Sequence, residues 1–362
     1  MMSQYAATDI GPPHYWDKMP KMCQDNYFQW QYHEKVKPGV LKHVGPAGAL
    51  YTVRVGSTRL LSTESIRWFA ALADKYCDGH LRFTTRTSIE FMTTEEENVD
   101  KIIEEEEAYG FPVGGTGRSL RTMLHTQGWV HCHSAATDAS GTVKAVMDAL
   151  YDYFKRDDLP SHLKISMACC LNMCGAVHCS DISFVGMHRT IPRVIDEQVA
   201  DSCEIPNLVA ACPVGAIRPN PKKKSVTINE EKCMYCGNCF SVCPALPIAD
   251  PENDGLAVFV GGKVSNARTG PTFSKLVVPY IPNEPPRWPT LVNTIKHLVE
   301  IWVENAKPGE RYGEWVERIG WEKFFEISGL EFTDKHIDDF TFSVKTFRTT
   351  SNFKYTNAVE TM

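Results

Sequence analysis

The period of apolar positions changes three times between residues 49 and 110. "ALYTVRV" (49–55) alternates as a strand does, the stretch from about Ser62 to Tyr76 repeats every three to four positions as a helix does, and "HLRFTTRTSIEFMT" (80–93) alternates again. "TEEENVDKIIEEEEAYG" then spaces Val99, Ile102 and Ile103 at helical intervals among glutamates, which predicts an amphipathic helix with a solvated acidic face. The order β-α-β-α, with the glycine-rich "FPVGGTGRSLRT" behind it, predicts half of a ferredoxin-like α+β sheet. Along residues 80–93, Leu81, Phe83, Ile89 and Phe91 share one face, while Arg82, Thr84, Arg86, Ser88 and Glu90 share the other. A polar face this regular either meets water or lines a site, and for a single arginine water is the commoner answer.

Composition bounds the class. With 362 residues, 43% hydrophobic and 23% charged, the chain suits a globular protein of about two to three domains. Its formal charge of −6 argues against a general nucleic-acid binder, which needs a basic surface. No apolar run approaches the roughly 18–20 residues of a membrane helix, and "MMSQYAATDIGPPHYW" lacks the layout of a signal peptide, so a cytoplasmic location is expected. In that compartment the 13 cysteines point to metal ligation in preference to disulfides.

Residues 233–244, "CMYCGNCFSVCP", read C-x2-C-x2-C-x3-C-P, the bacterial ferredoxin run. Upstream, "ACPVGAI" (211–217) has the Cys-Pro that closes a ferredoxin half-motif without the three-cysteine loop of its own. One [4Fe–4S] cluster follows, held by Cys233, Cys236, Cys239 and Cys212, with Cys243 left as a vestige. A zinc knuckle is the competing assignment, but zinc sites usually pair two C-x2-C units. "PKKKS" (221–225) is a basic turn before the cluster loop, either solvated or steering an acidic donor.

A second thiol set occurs in "KISMACCLNMCGAVHC" (164–179). Cys170 and Cys174 on a tight turn can hold one face of a cube, and Cys169 adds a third thiolate. The fourth comes from Cys132 in "HTQGWVHCHSAATDASG", with Cys179 as the local rival. A buried run of free thiols is the plain alternative, since free Cys packs as a small hydrophobe.

With these motifs the chain resembles the β subunits of dissimilatory sulfite reductases, a branch of the sirohaem sulfite and nitrite reductases, over nearly its whole length. The resemblance implies a sulfite-reductase-like half with an inserted bacterial-ferredoxin [4Fe–4S] domain. Six-electron reduction of sulfite to sulfide would occur at a sirohaem whose iron shares a cysteine thiolate with a cube, while a second cube feeds electrons. Family members carry C-x5-C before C-x3-C. Here position 126 is Thr, and the extra Cys169 restores the count to Cys132, Cys169, Cys170 and Cys174. Cys174, last of its pair, is the implied bridge to the haem iron.

Sulfite is a dianion and sirohaem carries eight carboxylates, so both need cations, and guanidinium groups grip such anions bidentately. By resemblance Arg82, Arg86, Arg121 and Lys164 would bind the cofactor, while Arg86, Arg54, Lys164 and His162 would join Cys174 in catalysis. The family's Leu-Pro-Arg-Lys-Phe-Lys is here "LPSHLKIS", so Ser161 and His162 replace a fixed Arg and Lys. A histidine titrates near neutrality, so His162, like His131 and His133, is expected either to deliver protons or to have no role.

The expected domains are an N-terminal interface arm (1–48), a ferredoxin-like half-domain (49–120), a sirohaem/[4Fe–4S] domain in two parts (121–205 and 263–330), an inserted ferredoxin domain (206–262) and an aromatic interface tail (331–362). The arms, rich in aromatics but short of periodicity, read as lying on another subunit. "NTIKHLVEIWVENA" (293–306) is a helix for core and interface, and "GGTG" (114–117) is no nucleotide motif. Single-chain relatives are internal duplications and this chain has one half. It is therefore expected to pair with a paralogous α subunit as α2β2, and to meet a small sulfur-carrier protein with C-terminal cysteines and a membrane-linked or soluble electron donor. Two other readings stand beside this one: an electron-transfer protein with clusters alone, and a subunit whose haem site is non-catalytic.

Overall fold

The computed structural model describes residues 16–336, and these divide into two units. The first comprises residues up to 124 with 150–165 and 306–311. Its five strands are β1 (Tyr32–Lys37), β2 (Val40–Gly45), β3 (Gly48–Val55), β4 (Leu81–Phe83) and β5 (Ile89–Thr93), an antiparallel sheet of order β1-β2-β3-β5-β4. The helices Thr63–Tyr76 and Glu96–Tyr109 supply Phe69, Leu72, Val99 and Ile102 to a core completed by Val53, Val55, Ile89 and Phe91. The first helix starts where Ser62 Oγ accepts the Ser65 N–H at 3.0 Å, an N-cap that satisfies an otherwise orphaned donor.

Two expectations change here. Residues 80–93 are not one strand but a hairpin, with Thr84–Ser88 as its turn and Thr87 at φ 64°. Arg82 pairs with Glu90 and Phe83 with Ile89 across it. Partners in this register have the same parity, so the alternation runs through the turn unbroken and conceals it; Phe83 ends 61% exposed. Residues 32–45, counted within the expected arm, form two strands of the sheet, because Val40 closes the core.

The acidic helix also departs from a fully solvated face, since Glu106 is buried with neither carboxylate oxygen hydrogen-bonded. Burial raises its pKa from 4.5 to about 8, and the nearby Trp68 indole offsets this only in part. A raised carboxyl pKa gives stability that is full below the unfolded value and is lost as pH rises through the folded one. Glu106→Gln should therefore stabilise the protein by roughly 2 kcal/mol near pH 8 and much less near pH 5, measured as thermal midpoints at the two pH values.

The second unit comprises 125–149, 166–305 and 312 onward. Its sheet has the order β12-β11-β8-β7-β6, built from β6 (Leu124–His125), β7 (Ile165–Ala168), β8 (Ile182–Met187), β11 (Gly255–Val260) and β12 (Lys275–Pro282). All four residues of β7 are buried, as in a strand covered on both faces. The helix Pro289–Asn305 buries Leu291, Ile295, Leu298 and Trp302, so residues 293–306 serve the core. Among the described residues no helix is long and apolar enough to cross a membrane.

Between β8 and β11 the chain makes an excursion. Met187 and Gly255 are opposite each other in the antiparallel register, so the inserted segment leaves and returns at one point. It carries the helices Asp196–Ser202 and Ile205–Ala211, the hairpin β9 (Ile217–Asn220) and β10 (Ser225–Ile228), and the short helix Asn238–Val242. Its own core includes Val199, Leu208, Ile217, Val226 and Leu246. The insert thus runs from 188 to 254, wider at its start and narrower at its end than 206–262, because Val199 belongs to its core and Gly255–Val260 to the main sheet. Of the expected tail, 337–362 lies outside the described residues; before it, His336 Nε2 lies 3.1 Å from the Val277 carbonyl of β12.

Candidate functional site

In the insert, Cys212, Cys233, Cys236 and Cys239 line one recess, with Val214, Ile217 and Ile228 as apolar wall. Local backbone sets this up. Cys212 caps the helix Ile205–Ala211, and its sulfur accepts the Ala216 N–H at 3.1 Å. Tyr235 and Gly237, at φ 54° and 71°, wind the loop so that Cys233, Cys236 and Cys239 face the same way. Burial pushes the thiols of Cys233 and Cys236 up and that of Cys239 to about 12, so they stay protonated until a metal displaces their protons.

An all-thiol, otherwise apolar lining fits an iron–sulfur cube. Cys243 is not idle. It is bonded to Cys203 with the Cα atoms 5.6 Å apart, because both close helices of the same small core. The expectation of metal ligands without disulfides is corrected at this pair.

The second thiol set gathers at the end of β7. Cys169 and Cys170 are each 3% exposed, and Ser134 Oγ lies 3.5 Å from Cys132 Sγ and 3.9 Å from Cys170 Sγ. The Cys169 N–H donates to Thr126 Oγ1 at 2.9 Å. Thus the Thr at position 126 touches the extra cysteine. Cys169 and Cys170 share a hydrogen bond, and this bond, with Thr126, the Gly128 N–H and Cys132 helping, lowers the Cys169 pKa against the effect of burial while that of Cys170 is raised. Leu171 and Met173 anchor the loop on Ala168, Val177 and Val185. Met173 at φ 48° turns it, leaving Cys174 exposed. Cys179 points its thiol at the Ala176 carbonyl, 3.4 Å away. A side chain at Gly186 on β8 would strike the Cys169 carbonyl, so glycine is what lets the loop sit this close.

The cations belong to the first unit. Arg54 and Arg82 both grip Glu90, which is 1% exposed: Arg54 Nε donates to Oε1 at 2.8 Å and Arg82 Nε to Oε2 at 2.6 Å. Although burial raises the Glu90 pKa, the two guanidiniums bring it below its ordinary value. Arg86, at the hairpin tip, donates to the Thr122 carbonyl at 2.8 Å and the Ile165 carbonyl at 2.6 Å. Arg121 donates to the Gly115 and Gly117 carbonyls and lies 3.3 Å from Ser119 Oγ. Burial, then Arg54, Arg86 and Arg311, lowers its pKa to about 10. Such a concentration of buried positive charge is an anion-binding environment.

His162 is held neutral near pH 7. Burial, then the charges of Arg311, Arg121, Lys164 and Arg86, lowers its pKa to about 3, and its Nε2 accepts a hydrogen bond from Arg311 Nη1 at 2.9 Å. A depressed histidine pKa gives stability that is lost as pH falls below the unfolded value. The protein should therefore lose of the order of 3 kcal/mol between about pH 6.5 and pH 3, and His162→Gln should flatten that limb in acid-unfolding curves. Arg311 was missed by sequence reasoning. A lone arginine in "PGERYGEW" carries no signal, and its partner is 149 residues away.

A ferredoxin-like half domain with a cationic face, and a unit carrying two thiol sets, define a redox protein of the nitrite and sulfite reductase class. Residues 43–109 match the nitrite/sulfite reductase ferredoxin-like half domain, and residues 116–336 match the nitrite and sulphite reductase 4Fe-4S domain. The dissimilatory-type sulfite reductase β subunit of Archaeoglobus fulgidus is 52% identical over 98% of this chain and 100% of its own. An α subunit of that enzyme type, from Allochromatium vinosum, is 27% identical over 79% of this chain and 68% of its own. The crystal structure of dissimilatory sulfite reductase I superposes with a TM-score of 0.80 at 21% identity, over 90% of this chain and 84% of that one, and so shares the fold. The chain belongs to the nitrite and sulfite reductase family and, within it, to the β subunits of dissimilatory sulfite reductase. It is an oxidoreductase of sulfite reduction, and iron–sulfur clusters and sirohaem are the cofactors of that family. The enzyme has chains of α and β type, and this chain is similar to both.

Proposed function

We propose that this subunit carries two [4Fe–4S] clusters and a sirohaem, and that the clusters are divided between its two thiol sets. Cys212, Cys233, Cys236 and Cys239 hold the ferredoxin-type cube. Cys132, Cys169, Cys170 and Cys174 hold the haem-linked one, with Cys174 as the thiolate shared with the haem iron. A shared thiolate would make cube and haem one electronic unit, which suits the repeated refilling of one iron during a six-electron reduction.

Arg86, Arg121 and Lys164 bind carboxylates of the tetrapyrrole or the sulfite dianion. Arg54 and Arg82 act through Glu90, which fixes their guanidiniums and cancels one of their two charges. The observation that carries the reading is the convergence of Cys132, Cys169 and Cys170, with Cys174 exposed on the same loop. Iron, sulfide and sirohaem analysis of the purified αβ complex, with its visible spectrum, tests it. Absence of the sharp sirohaem bands, or an iron content that accounts for the ferredoxin-type cube alone, would refute it.

The assembly we propose is α2β2 in the cytoplasm. Exposed Phe28, Trp30 and Tyr32 supply an apolar surface for the α subunit. A soluble or membrane-linked donor delivers electrons near Met234, which is 43% exposed on the cube loop, and a carrier protein with C-terminal cysteines takes the product. One observation favours a second reading, in which the haem held here is non-catalytic: His162 is neutral where the family pattern described above implies a lysine.

A further inference from the structure

The insert is tied to the main sheet at its neck by a buried pair that the site described above does not use. His188, the first residue after β8, and Asp254, the last before β11, have side chains 0% and 1% exposed and lie 2.8 Å apart through Nδ1 and Oδ2. Asp254 also accepts the Arg189 N–H at 3.1 Å and the Asp250 N–H at 2.9 Å. His188 Nε2 lies 3.0 Å from the Ser134 carbonyl. Both ring nitrogens therefore face oxygen atoms, which fixes the plane of the ring.

Ser134 is two residues from Cys132, and its hydroxyl lies near both Cys132 and Cys170. On its other side the His188 ring backs onto Gly237, whose missing side chain would meet Ile248 at 3.3 Å and the imidazole at 3.9 Å. Gly237 sits between Cys236 and Cys239. One imidazole is thus bonded to the Cys132–Ser134 loop and lies beside the Cys236–Cys239 loop, with room at Gly237 for no more than a methyl group between them. A second contact joins the same loops. His133, next to Cys132, meets Phe240, next to Cys239, edge to face, with ring centroids 5.1 Å apart.

We propose that His188, fixed by Asp254, is a positioning residue that clamps the Cys236–Cys239 loop against the Cys132–Ser134 loop, so that the His133–Phe240 ring contact carries electrons from the ferredoxin-type cluster to the haem-linked one. The inference rests on the two-cluster reading above. In each transfer one electron leaves the reduced ferredoxin-type cube and one enters the haem-linked cube, and no covalent bond is made or broken. The buried hydrogen bonds matter because the contact is between loops, and a loop held from one side only would let the rings drift apart.

The test uses the co-expressed αβ complex with Phe240→Leu, His188→Leu and His188→Gln. Mössbauer and EPR spectra count the clusters, and flash photoreduction with freeze-quench EPR times the passage of an electron from one cube to the other. With both cubes present, Phe240→Leu and His188→Leu should slow that passage about 10-fold, within the range for outer-shell changes at metal sites. His188→Gln, which keeps a donor toward Ser134, should recover part of the rate. A merely structural neck would not give this graded rescue at constant cluster content. Unchanged transfer in Phe240→Leu, with both cubes loaded, overturns the inference and leaves the two-cluster reading standing, and this holds even if His188→Leu fails to assemble. An unmutated complex without the ferredoxin-type signal overturns both.

Discussion

Replacing Cys174 by Ser in the αβ complex should lower sulfite turnover by more than about 100-fold, since in the proposed bridging role an alkoxide or alcohol is a poor substitute for a soft thiolate. The fold should tolerate the change. Cys174 is exposed, whereas Cys169 and Cys170 are buried and packed, so no core contact is lost. Sulfite-dependent oxidation of reduced methyl viologen measures the rate, and the visible bands of the haem report whether its axial environment has changed. Full activity in this variant would retire Cys174 as the bridge. The neighbouring Cys179 would then need reconsideration, although its thiol is directed to the Ala176 carbonyl.

Cys239→Ala should act on a different part of the molecule and by a different route. Cys239 is 8% exposed and belongs to the core of the insert as well as to its recess. Where a small domain folds around a cluster, the binding energy of the cluster is part of the folding energy. Loss of this proposed ligand should remove one cube by iron analysis and expose the insert to limited proteolysis. Turnover driven by a small reduced ferredoxin should fall by about 100-fold or more. The Cys203–Cys243 bond, spanning a sequence separation of 40, should limit how far the insert opens, worth about 4 kcal/mol in chain entropy. The rest of the second unit should keep its melting behaviour, because β8 and β11 remain paired.

How much of this was legible in the chain itself depends on what kind of signal each feature leaves. Cysteine spacing is local, so the recess of Cys212, Cys233, Cys236 and Cys239 could be read directly. Alternation is local too, but it is blind to a turn that preserves parity, which is why the hairpin about Thr84–Ser88 passed for one strand. The charge state of His162 depends on Arg311, Arg121, Lys164 and Arg86, side chains gathered from four separate segments, and no spacing rule brings them together. His188 and Asp254 are 66 positions apart and become partners only because the insert closes on itself. Glu106 was hidden by its company, since one buried carboxylate in a run of solvated ones has no distinguishing neighbour in sequence.

The facing residues Met187 and Gly255 also bear on how such a chain can change over generations. A module whose two ends meet across one rung of a ladder can be lengthened, trimmed or exchanged for another without shifting the strands that support it. Docking preferences for new redox partners can then drift in the appendage, while the thiols at the end of β7 keep their setting.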